Sequence, residues 1–346
     1  MKDDGKKIVI LFCVMMAVTL NVNAQGWYTN LQENLEFKGV VLEDKDYHIW
    51  GSSPIWGDDG KVHVFSARFP INMTTKNHSF NGWRNHSEIA HYVGDKPEGP
   101  FTYVETLTKP DPSKKEKAWG TKHNPTISKA GDKFVLVYIA SGEVRGFGIY
   151  MMTADDINGP WKKVGLVLSA TKDPNVWSYS EPAGMSANPV FIHNPNNGKS
   201  YIYYKTRMGP KNTAYFGVAV ADKLEGPYIH HPKKITENKG YIEDPCGFYY
   251  NNKFYLLFRQ GFWLTSDDGL YFDFNNKIEA HEDKLGHYID KEVAAKATRW
   301  YGTTLERPQF LLTDGIPSHL FMPAGMNING GNGTACYMLR IKPDAE

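Results

Sequence analysis

Side chains that could carry out acid–base chemistry recur directly before a set of five prolines. The prolines are Pro54, Pro125, Pro189, Pro245 and Pro308. The residues two positions before them are Ser52, His123, Ala187, Glu243 and Glu306, and the residues one position before them are Ser53, Asn124, Asn188, Asp244 and Arg307. A random set of strand starts would seldom contain so many titrating groups and hydrogen-bond donors. The pattern therefore predicts a polar site where five chain segments meet.

Two glutamates in this set are candidates for catalysis. Side chains alternate across a strand, so Glu243, Glu306 and His123, all two residues before a proline, are expected to face one cavity. Burial and like charge separate the pKa values of two such carboxyls, which suits the acid and base roles of glycoside hydrolysis. His123 is expected to contact a substrate, or to be one ligand of a divalent cation in a central channel.

The prolines belong to a repeated unit, which predicts the elements that position the site. Each proline opens an apolar stretch, which is followed by a tight-turn pair and a second apolar stretch. The turn pairs are Asp59-Gly60, Gly131-Asp132, Asn197-Gly198, Asn251-Asn252 and Asp314-Gly315. Residues that accept positive φ in two-residue turns are typical of β-hairpins. The sequence therefore predicts five hairpins.

A second recurring piece follows the hairpins and predicts outer strands. It reads Glu98-Gly99-Pro100, Asn158-Gly159-Pro160 and Glu225-Gly226-Pro227, with residues 265–269 in the same place in the fourth unit. Two inner and two outer strands make one blade. We therefore predict an all-β fold, a single five-bladed β-propeller over residues 25–346. Asp290–Arg299 is the best helical candidate.

The amino terminus has the pattern of a cleavable signal peptide. Three lysines precede the apolar run Ile8–Leu20, and Val22-Asn23-Ala24 offers small residues at the usual cleavage spacing. Residues 1–24 are therefore predicted to be removed, giving a secreted or periplasmic protein without stable membrane insertion. Export would permit a disulfide between Cys246 and Cys336.

Charge and composition exclude one partner class and suggest another. The formal net charge is +1, and the short basic run Lys114–Lys117 does not predict a nucleic-acid surface. Further candidates for sugar binding flank the hairpins; they are Trp50, Arg68, Glu88, Lys205 and Arg259. The cations could bind an acidic or sulfated sugar or could lie at a solvated rim, and Glu88 could instead brace a loop. The oligomeric state is open.

The motifs around the prolines resemble the five-bladed propeller glycoside hydrolases of families 43, 32 and 117. The resemblance lies in the segments Trp50–Pro54, Ser87–Ile89, His123–Thr126, Ile242–Pro245 and Leu305–Gln309 with Pro317–Phe321. It extends over nearly all of the predicted mature chain. It implies an inverting mechanism with a base on blade one, a pKa-tuning residue on a middle blade and an acid on blade four.

Residue by residue, the resemblance is incomplete. Glu243 matches the acid of family 43, whereas Ser53 and Asn188 stand where that family has the base and the pKa-tuning aspartate. Asp46, in the lead-in to blade one, is the first substitute for the base and Glu306 is the second. His123 and His319 are possible participants by resemblance to family 117. No cofactor is required, although calcium could occupy the central channel.

The sequence leaves three functions in competition. An exo-acting glycosidase that releases terminal sugars from plant or algal oligosaccharides fits the polar ring best. A non-catalytic sugar-binding propeller would explain the missing blade-one aspartate. A lyase or phosphorylase on the same fold is the third.

Overall fold

The structure, a computed structural model, describes residues 31–72, 82–110, 120–141, 146–179, 185–208, 213–237, 240–296 and 302–342. Its strands form five four-stranded antiparallel sheets. The strand that contains or directly follows each marker proline is the innermost strand of its sheet. It contacts the innermost strands of the two adjacent sheets, so these five strands surround one axis. The predicted five-bladed β-propeller is confirmed.

The first four blades follow chain order from the innermost to the outermost strand. Blade one consists of β2 (Tyr47–Trp56), β3 (Val62–Pro70), β4 (Glu88–Gly94) and β5 (Thr102–Thr108). Blade two consists of β6 (Lys122–Ala130), β7 (Lys133–Ala140), β8 (Gly148–Ala154) and β9 (Lys162–Leu168). Blade three consists of β10 (Ala187–His193), β11 (Ser200–Met208), β12 (Thr213–Ala221) and β13 (Ile229–His230). Blade four consists of β14 (Cys246–Tyr250), β15 (Lys253–Phe258), β16 (Phe262–Ser266) and β17 (Ile278–Glu279).

Blade five is completed by the amino-terminal strand. The order is β18 (Gln309–Thr313), β19 (Ile316–Ala324), β20 (Ala335–Ile341) and then β1 (Leu35–Leu42). β1 runs antiparallel to β20, with Leu35 opposite Ile341 and Leu42 opposite Cys336. Because β1 hydrogen-bonds to the last strand of the chain, the two ends close the ring and cover an edge that would otherwise be unpaired.

The predicted turns and the predicted helix are present. Each turn pair connects the first two strands of its unit, and Asn251 and Asn252 have φ of 46° and 62°. The described helices are short: α1 (Trp83–His86), α2 (Lys291–Ala295), and 3₁₀ turns at Phe274–Asn276 and Leu285–His287. The Asp290 side chain caps α2 by accepting from the backbone N–H groups of Glu292 and Val293, which confirms the helix candidate in part.

The hydrophobic core lies between blades rather than in one centre. Five large apolar clusters each join two adjacent blades. Along β7, Phe134 and Leu136 pack toward blade one, whereas Val135 and Val137 pack toward blade three. Since both faces of a blade are buried, the inner hairpins read as continuous apolar runs rather than as alternating ones.

Three other sequence features have different outcomes. Cys246 and Cys336 are both free and buried, so the disulfide that export would permit is not formed. The predicted signal peptide, residues 1–24, lies outside the described residues. In the part of the chain that the structure describes, no helix is long and apolar enough to cross a membrane.

The closure by β1 predicts the effect of Phe37→Ala. The Phe37 ring stacks at 5.8 Å on Tyr288 and at 6.0 Å on Tyr337, so its loss removes packing between β1 and the rest of blade five. We expect the free energy of unfolding to fall by about 2 kcal/mol in chemical denaturation. Val104→Ala, on the exposed strand β5, is the matched control and should change stability by less than ~0.5 kcal/mol. Equal effects of the two substitutions would contradict the closing role of β1.

Candidate active site

A bulge at the start of each inner strand orients the site residues. The β6–β7 pairing passes from His123 directly to Thr126, and the β10–β11 pairing passes from Ala187 to Val190. The bulge residues before the prolines have positive φ: 51° at Asn124, 51° at Asn188, 48° at Asp244 and 42° at Arg307. Asn and Asp adopt this conformation more readily than other residues with side chains, whereas an arginine there is uncommon.

Blade one carries the same bulge at a different place relative to its proline. Its pairing passes from Trp50 to Ser53, and Gly51 has φ of 59°. Trp50 and Gly51 therefore correspond to His123 and Asn124. The expectation that Ser52 and Ser53 complete the polar ring is wrong, because Pro54 is displaced by two residues relative to the bulge.

The bulges surround a cavity of about 400 Å³ at one end of the central channel. Its lining residues come from the starts of the inner strands and from nearby loops: Trp50, Trp83, Arg84, His123, Asn124, Ile139, Phe147, Met185, Ala187, Asn188, Lys205, Glu243, Asp244 and Glu306. A second cavity, of about 490 Å³, is lined by residues further along the same strands, including Ser53, Thr126, Cys246 and Gln309. We regard the first cavity as the candidate active site because Glu243, Asp244 and Glu306 line it together.

Glu243 is held in its charged form. Lys205 forms an ion pair with its Oε1, and the Tyr241 hydroxyl donates to its Oε2. Burial disfavours the carboxylate, but the Lys205 charge and the hydrogen bonds from Lys205 and Tyr241 outweigh burial and lower the pKa of Glu243. The Glu243 backbone N–H also donates to Gln260 Oε1 at 3.1 Å, which fixes the start of the strand.

Glu306 lies in the same cavity, but its pKa is raised rather than lowered. It forms an ion pair with Arg259, whose Nη1 lies 3.4 Å from Glu306 Oε1. Burial and the nearby Asp244 charge raise the pKa of Glu306 to about 7, against the lowering effect of Arg259. The cavity therefore contains three carboxyl groups. Glu243 is charged, Glu306 keeps its proton to near neutral pH, and burial and the Glu243 charge raise the pKa of Asp244.

A ring of side chains across the axis forms the floor of the cavity. Asn124 Nδ2 donates to Asn188 Oδ1 at 2.9 Å, and the Asn188 amide donates to Asp244 Oδ1. Arg307 Nη1 lies 3.8 Å from the same Asp244 oxygen. The floor therefore combines residues from four blades, while Gly51 fills the blade-one place without a side chain.

His123 is buried and neutral. Its Nδ1 lies 2.8 Å from Ser87 Oγ, and its ring stacks on Trp83 at 4.8 Å. Burial and then the Arg307 charge lower the pKa of His123 to about 3. A neutral imidazole can hydrogen-bond a sugar hydroxyl, but it does not supply a proton at neutral pH.

The structure brings most of the predicted site residues together. Seven of them line the cavity: Trp50, His123, Asn124, Lys205, Glu243, Asp244 and Glu306. Arg259 lies directly behind Glu306 through their ion pair. The other four predicted residues, Asp46, Arg68, Glu88 and His319, do not line the cavity.

Asp46 and His319 are remote from the carboxyl groups. Asp46 immediately precedes β2, its side chain is 69% exposed, and it does not line the cavity. His319 pairs with Leu311 in blade five, beyond the start of the inner strand, and its Nδ1 lies 3.0 Å from Ser318 Oγ. The structure therefore supports neither an Asp46 base nor a substrate contact by His319.

Arg68 and Glu88 pair with each other instead of lining the cavity. They are opposite one another on β3 and β4, with Arg68 Nε donating to Glu88 Oε1 at 2.8 Å. The Arg68 guanidinium also lies between the rings of Tyr47 and Tyr103, at 4.4 and 4.3 Å from their centroids. This arrangement links β3 to β4 within blade one and leaves neither side chain on the cavity.

Several cavity residues were missed by the sequence reasoning. Trp83 and Arg84 come from α1, between the second and third strands of blade one, and Phe147 and Met185 come from loops. No repeated motif marks these positions. Tyr241, which contacts Glu243 without lining the cavity, had a detectable signal, because it lies two residues before Glu243 and so falls on the same side of an extended segment.

The residues at the axis offer few of the oxygen ligands that a divalent cation takes. The ring contains two amides, one carboxylate and the guanidinium of Arg307, which is a cation itself. The cation expected in the channel would have His123 and water molecules as ligands, and because His123 Nδ1 lies on Ser87 Oγ, only its Nε2 could bind the ion. Among the described residues, no group of three or more His, Cys, Asp or Glu side chains is arranged to hold a metal ion.

Comparison with known proteins gives a structural likeness without a sequence match. No family model and no curated protein matches the sequence. A family 117 glycoside hydrolase from the marine bacterium Zobellia galactanivorans superimposes with a TM-score of 0.64 at 16% identity, covering 92% of this chain and 93% of that one.

Family 43 enzymes are similar to a lesser degree. A β-xylosidase/α-arabinofuranosidase from a compost metagenome, solved with xylotriose in a calcium-free form, gives a TM-score of 0.57 at 15% identity, covering 90% and 96% of the two chains. The Bacillus subtilis arabinanase gives 0.54 at 14% identity, with coverage of 88% and 96%. The class that the fold defines is therefore that of the five-bladed propellers found in family 43 and family 117 glycoside hydrolases, as the motifs indicated.

The raised pKa of Glu306 predicts a pH-dependent stability difference. The folded protein binds this proton more tightly than the unfolded chain, so wild-type stability should fall as pH rises from 4.5, the ordinary pKa of a glutamate, through about 7. Glu306→Gln removes this pH dependence of stability, because the glutamine amide does not titrate. Between pH 4.5 and 8, the variant should gain about 3 kcal/mol relative to wild type in chemical denaturation.

Glu279→Gln is the control for this measurement, because Glu279 is 63% exposed on β17. Its stability difference from wild type should stay constant over the same pH range. A constant difference for Glu306→Gln as well would contradict the assigned proton affinity.

Proposed function

We propose that the protein is a glycoside hydrolase that removes terminal sugars from oligosaccharides with inversion of configuration. The observation that carries the proposal is the pair of buried carboxyl groups with unlike proton affinity in one cavity. Glu243 is charged because of Lys205 and Tyr241, and Glu306 keeps its proton because of burial and Asp244. The fold shared with family 43 and family 117 glycoside hydrolases supports the same reaction class.

The electrostatics favour Glu306 as the acid and Glu243 as the base. Glu306 would donate its proton to the glycosidic oxygen as the bond to the anomeric carbon breaks. Glu243 would accept a proton from the water that attacks this carbon from the opposite face. The reaction leaves Glu306 ionised and Glu243 protonated, and exchange with solvent restores both. This assignment is the reverse of the one that the family resemblance gives to Glu243.

Exo action is favoured by the shape of the cavity. The side chains across the axis close its floor, so a sugar chain can enter from one side but cannot pass through. Trp50 and Trp83 supply aromatic surface, and Lys205 and Arg84 supply hydrogen-bond donors for hydroxyl or acidic groups. A volume of about 400 Å³ is within the usual range for small-ligand sites.

A sugar-binding propeller without catalysis is the second candidate. It is favoured by blade one, which presents Trp50 and Gly51 rather than a carboxylate, and by the strong engagement of Glu243 with Lys205 and Tyr241. In that case the same cavity would bind an oligosaccharide and leave it intact.

Substitution of either carboxyl group tests the hydrolase. Purified protein is screened against plant and marine oligosaccharides, including xylo- and arabino-oligosaccharides, with release of reducing sugar as the readout. On the substrate found, Glu306→Gln and Glu243→Gln should each lower kcat about 10²–10⁴-fold because each removes a proton-transfer step. Glu279→Gln should retain full activity. Binding of an oligosaccharide without turnover in wild type would favour the second candidate.

The pH dependence of kcat/KM tests the order of the two roles. The acid must be protonated, so activity should decline above about pH 7 as Glu306 ionises. The base must be ionised, and because the pKa of Glu243 is lowered, activity should persist down to below pH 4.5. An alkaline limit of kcat/KM that does not move in Arg259→Gln would argue against Glu306 as the acid. Removal of that cation should raise the pKa of Glu306 and move the limit to higher pH.

A further inference from the structure

Arg307 occupies an unusual position for a charged side chain. It lies two residues before β18, the inner strand of blade five, and is fully buried. Its Nη2 donates to the Asn124 carbonyl at 3.2 Å, to Thr126 Oγ1 at 3.1 Å and to the Pro189 carbonyl at 3.1 Å. One guanidinium therefore contacts the backbone or side chains of both blade two and blade three.

The same side chain also reaches blade four. Arg307 Nη1 lies 3.8 Å from Asp244 Oδ1, and Asp244 accepts the Asn188 amide on its other side. A buried charge needs an opposite charge and hydrogen-bond partners. Asp244 provides the charge and the three oxygen acceptors satisfy Nη2, whereas Nε and Nη1 have no hydrogen-bond partner among the described residues. The interactions of Arg307 thus join blade five to three other blades at the axis.

Blade one makes room for this arrangement. A Cβ on Gly51 would lie 3.3 Å from Arg307 Cγ and 3.4 Å from Asn124 Oδ1, and the φ of 59° is itself unfavourable for residues with a side chain. Gly51 is thus fitted to the arginine at the one blade to which Arg307 makes no polar contact in the described residues.

We propose that Arg307 is the axial cation of this propeller: its guanidinium ties blades two to five together and positions Asp244 beneath the two catalytic carboxyl groups, so that neither the fold nor the site depends on a metal ion at the axis. The planar fork of an arginine matches several oxygen acceptors at fixed angles, which a lysine ammonium cannot reproduce. Arg307 is a positioning residue, because it acts on the proposed reaction through Asp244.

Thermal unfolding of the full chain tests the structural part without reference to any substrate. The variants are Arg307→Met, Arg307→Lys and, as a control, Arg340→Met on the exposed part of β20. Each is measured alone, with calcium chloride and with EDTA. Wild-type Tm should be the same in all three conditions. Arg307→Met should lose about 10 °C or more, Arg307→Lys should lose less, and Arg340→Met should stay within about 2 °C of wild type.

Two results would overturn the proposal. One is a wild-type Tm that falls in EDTA or rises with calcium, which would indicate a required metal ion. The other is an Arg307→Met variant with wild-type Tm. If Arg307→Met does not fold, Gly51→Ala is measured instead. The added methyl group presses on Arg307 Cγ, so the Tm of this variant should fall by several degrees. An unchanged Tm would count against the proposal.

The positioning role has a separate readout on the substrate identified for the hydrolase. The charged groups that face Glu306 are Asp244, Glu243, Arg259 and Lys205, and Arg307 faces Asp244. Without the guanidinium, Asp244 should take up a proton more readily and repel the Glu306 carboxylate less. The alkaline limit of kcat/KM should therefore move to lower pH in Arg307→Met and less far in Arg307→Lys, which keeps a positive charge. An unmoved limit in Arg307→Met would contradict positioning through Asp244. If no substrate is found, thermal unfolding still tests the structural part of the proposal.

Discussion

The bulge at the start of each inner strand is the constraint on which the site depends. A residue with positive φ interrupts the ladder, so that its own side chain turns to the axis and the preceding side chain faces the cavity. Asn124, Asn188, Asp244 and Arg307 therefore meet each other, while His123, Glu243 and Glu306 line the space beside them. Without this local backbone conformation, five similar hairpins would form a channel but would not concentrate polar groups in it.

Charge separation in the cavity follows from which partner each carboxyl group meets. Glu243 has Lys205 and Tyr241 within hydrogen-bonding distance, whereas Glu306 has one longer contact to Arg259 and lies close to the buried Asp244. Burial acts on both groups in the same direction, so the difference comes from these neighbours. Two chemically identical side chains thereby become suited to opposite steps of one reaction.

The repeats made the fold and much of the site predictable. Turn pairs and marker prolines predicted the five hairpins, and the residues before Pro125, Pro245 and Pro308 predicted His123, Glu243 and Glu306 as cavity residues. The closing strand β1 was not predicted, because pairing between the chain ends leaves no local pattern. Trp83 and Arg84 were missed for a related reason, since tertiary packing brings α1 to the cavity.

The errors at blade one have a specific physical origin. The alignment by prolines assumed that the proline directly follows the bulge, which holds for Pro125 but not for Pro54, where two residues intervene. Arg68 and Glu88 had residue types suited to sugar binding, yet their opposite positions on adjacent strands made them partners of each other. Spacing alone does not distinguish a side chain that faces a cavity from one that is paired across a sheet.

The central claim is that Glu306 and Glu243 bind protons with different affinity inside one cavity. Carboxyl ¹³C titration of protein labelled at glutamate measures this most directly, with Glu306→Gln and Glu243→Gln used to assign the two signals. We expect the Glu306 signal to titrate near pH 7 and the Glu243 signal to titrate below 4.5. Two signals that both titrate at the value of an exposed glutamate would contradict the account.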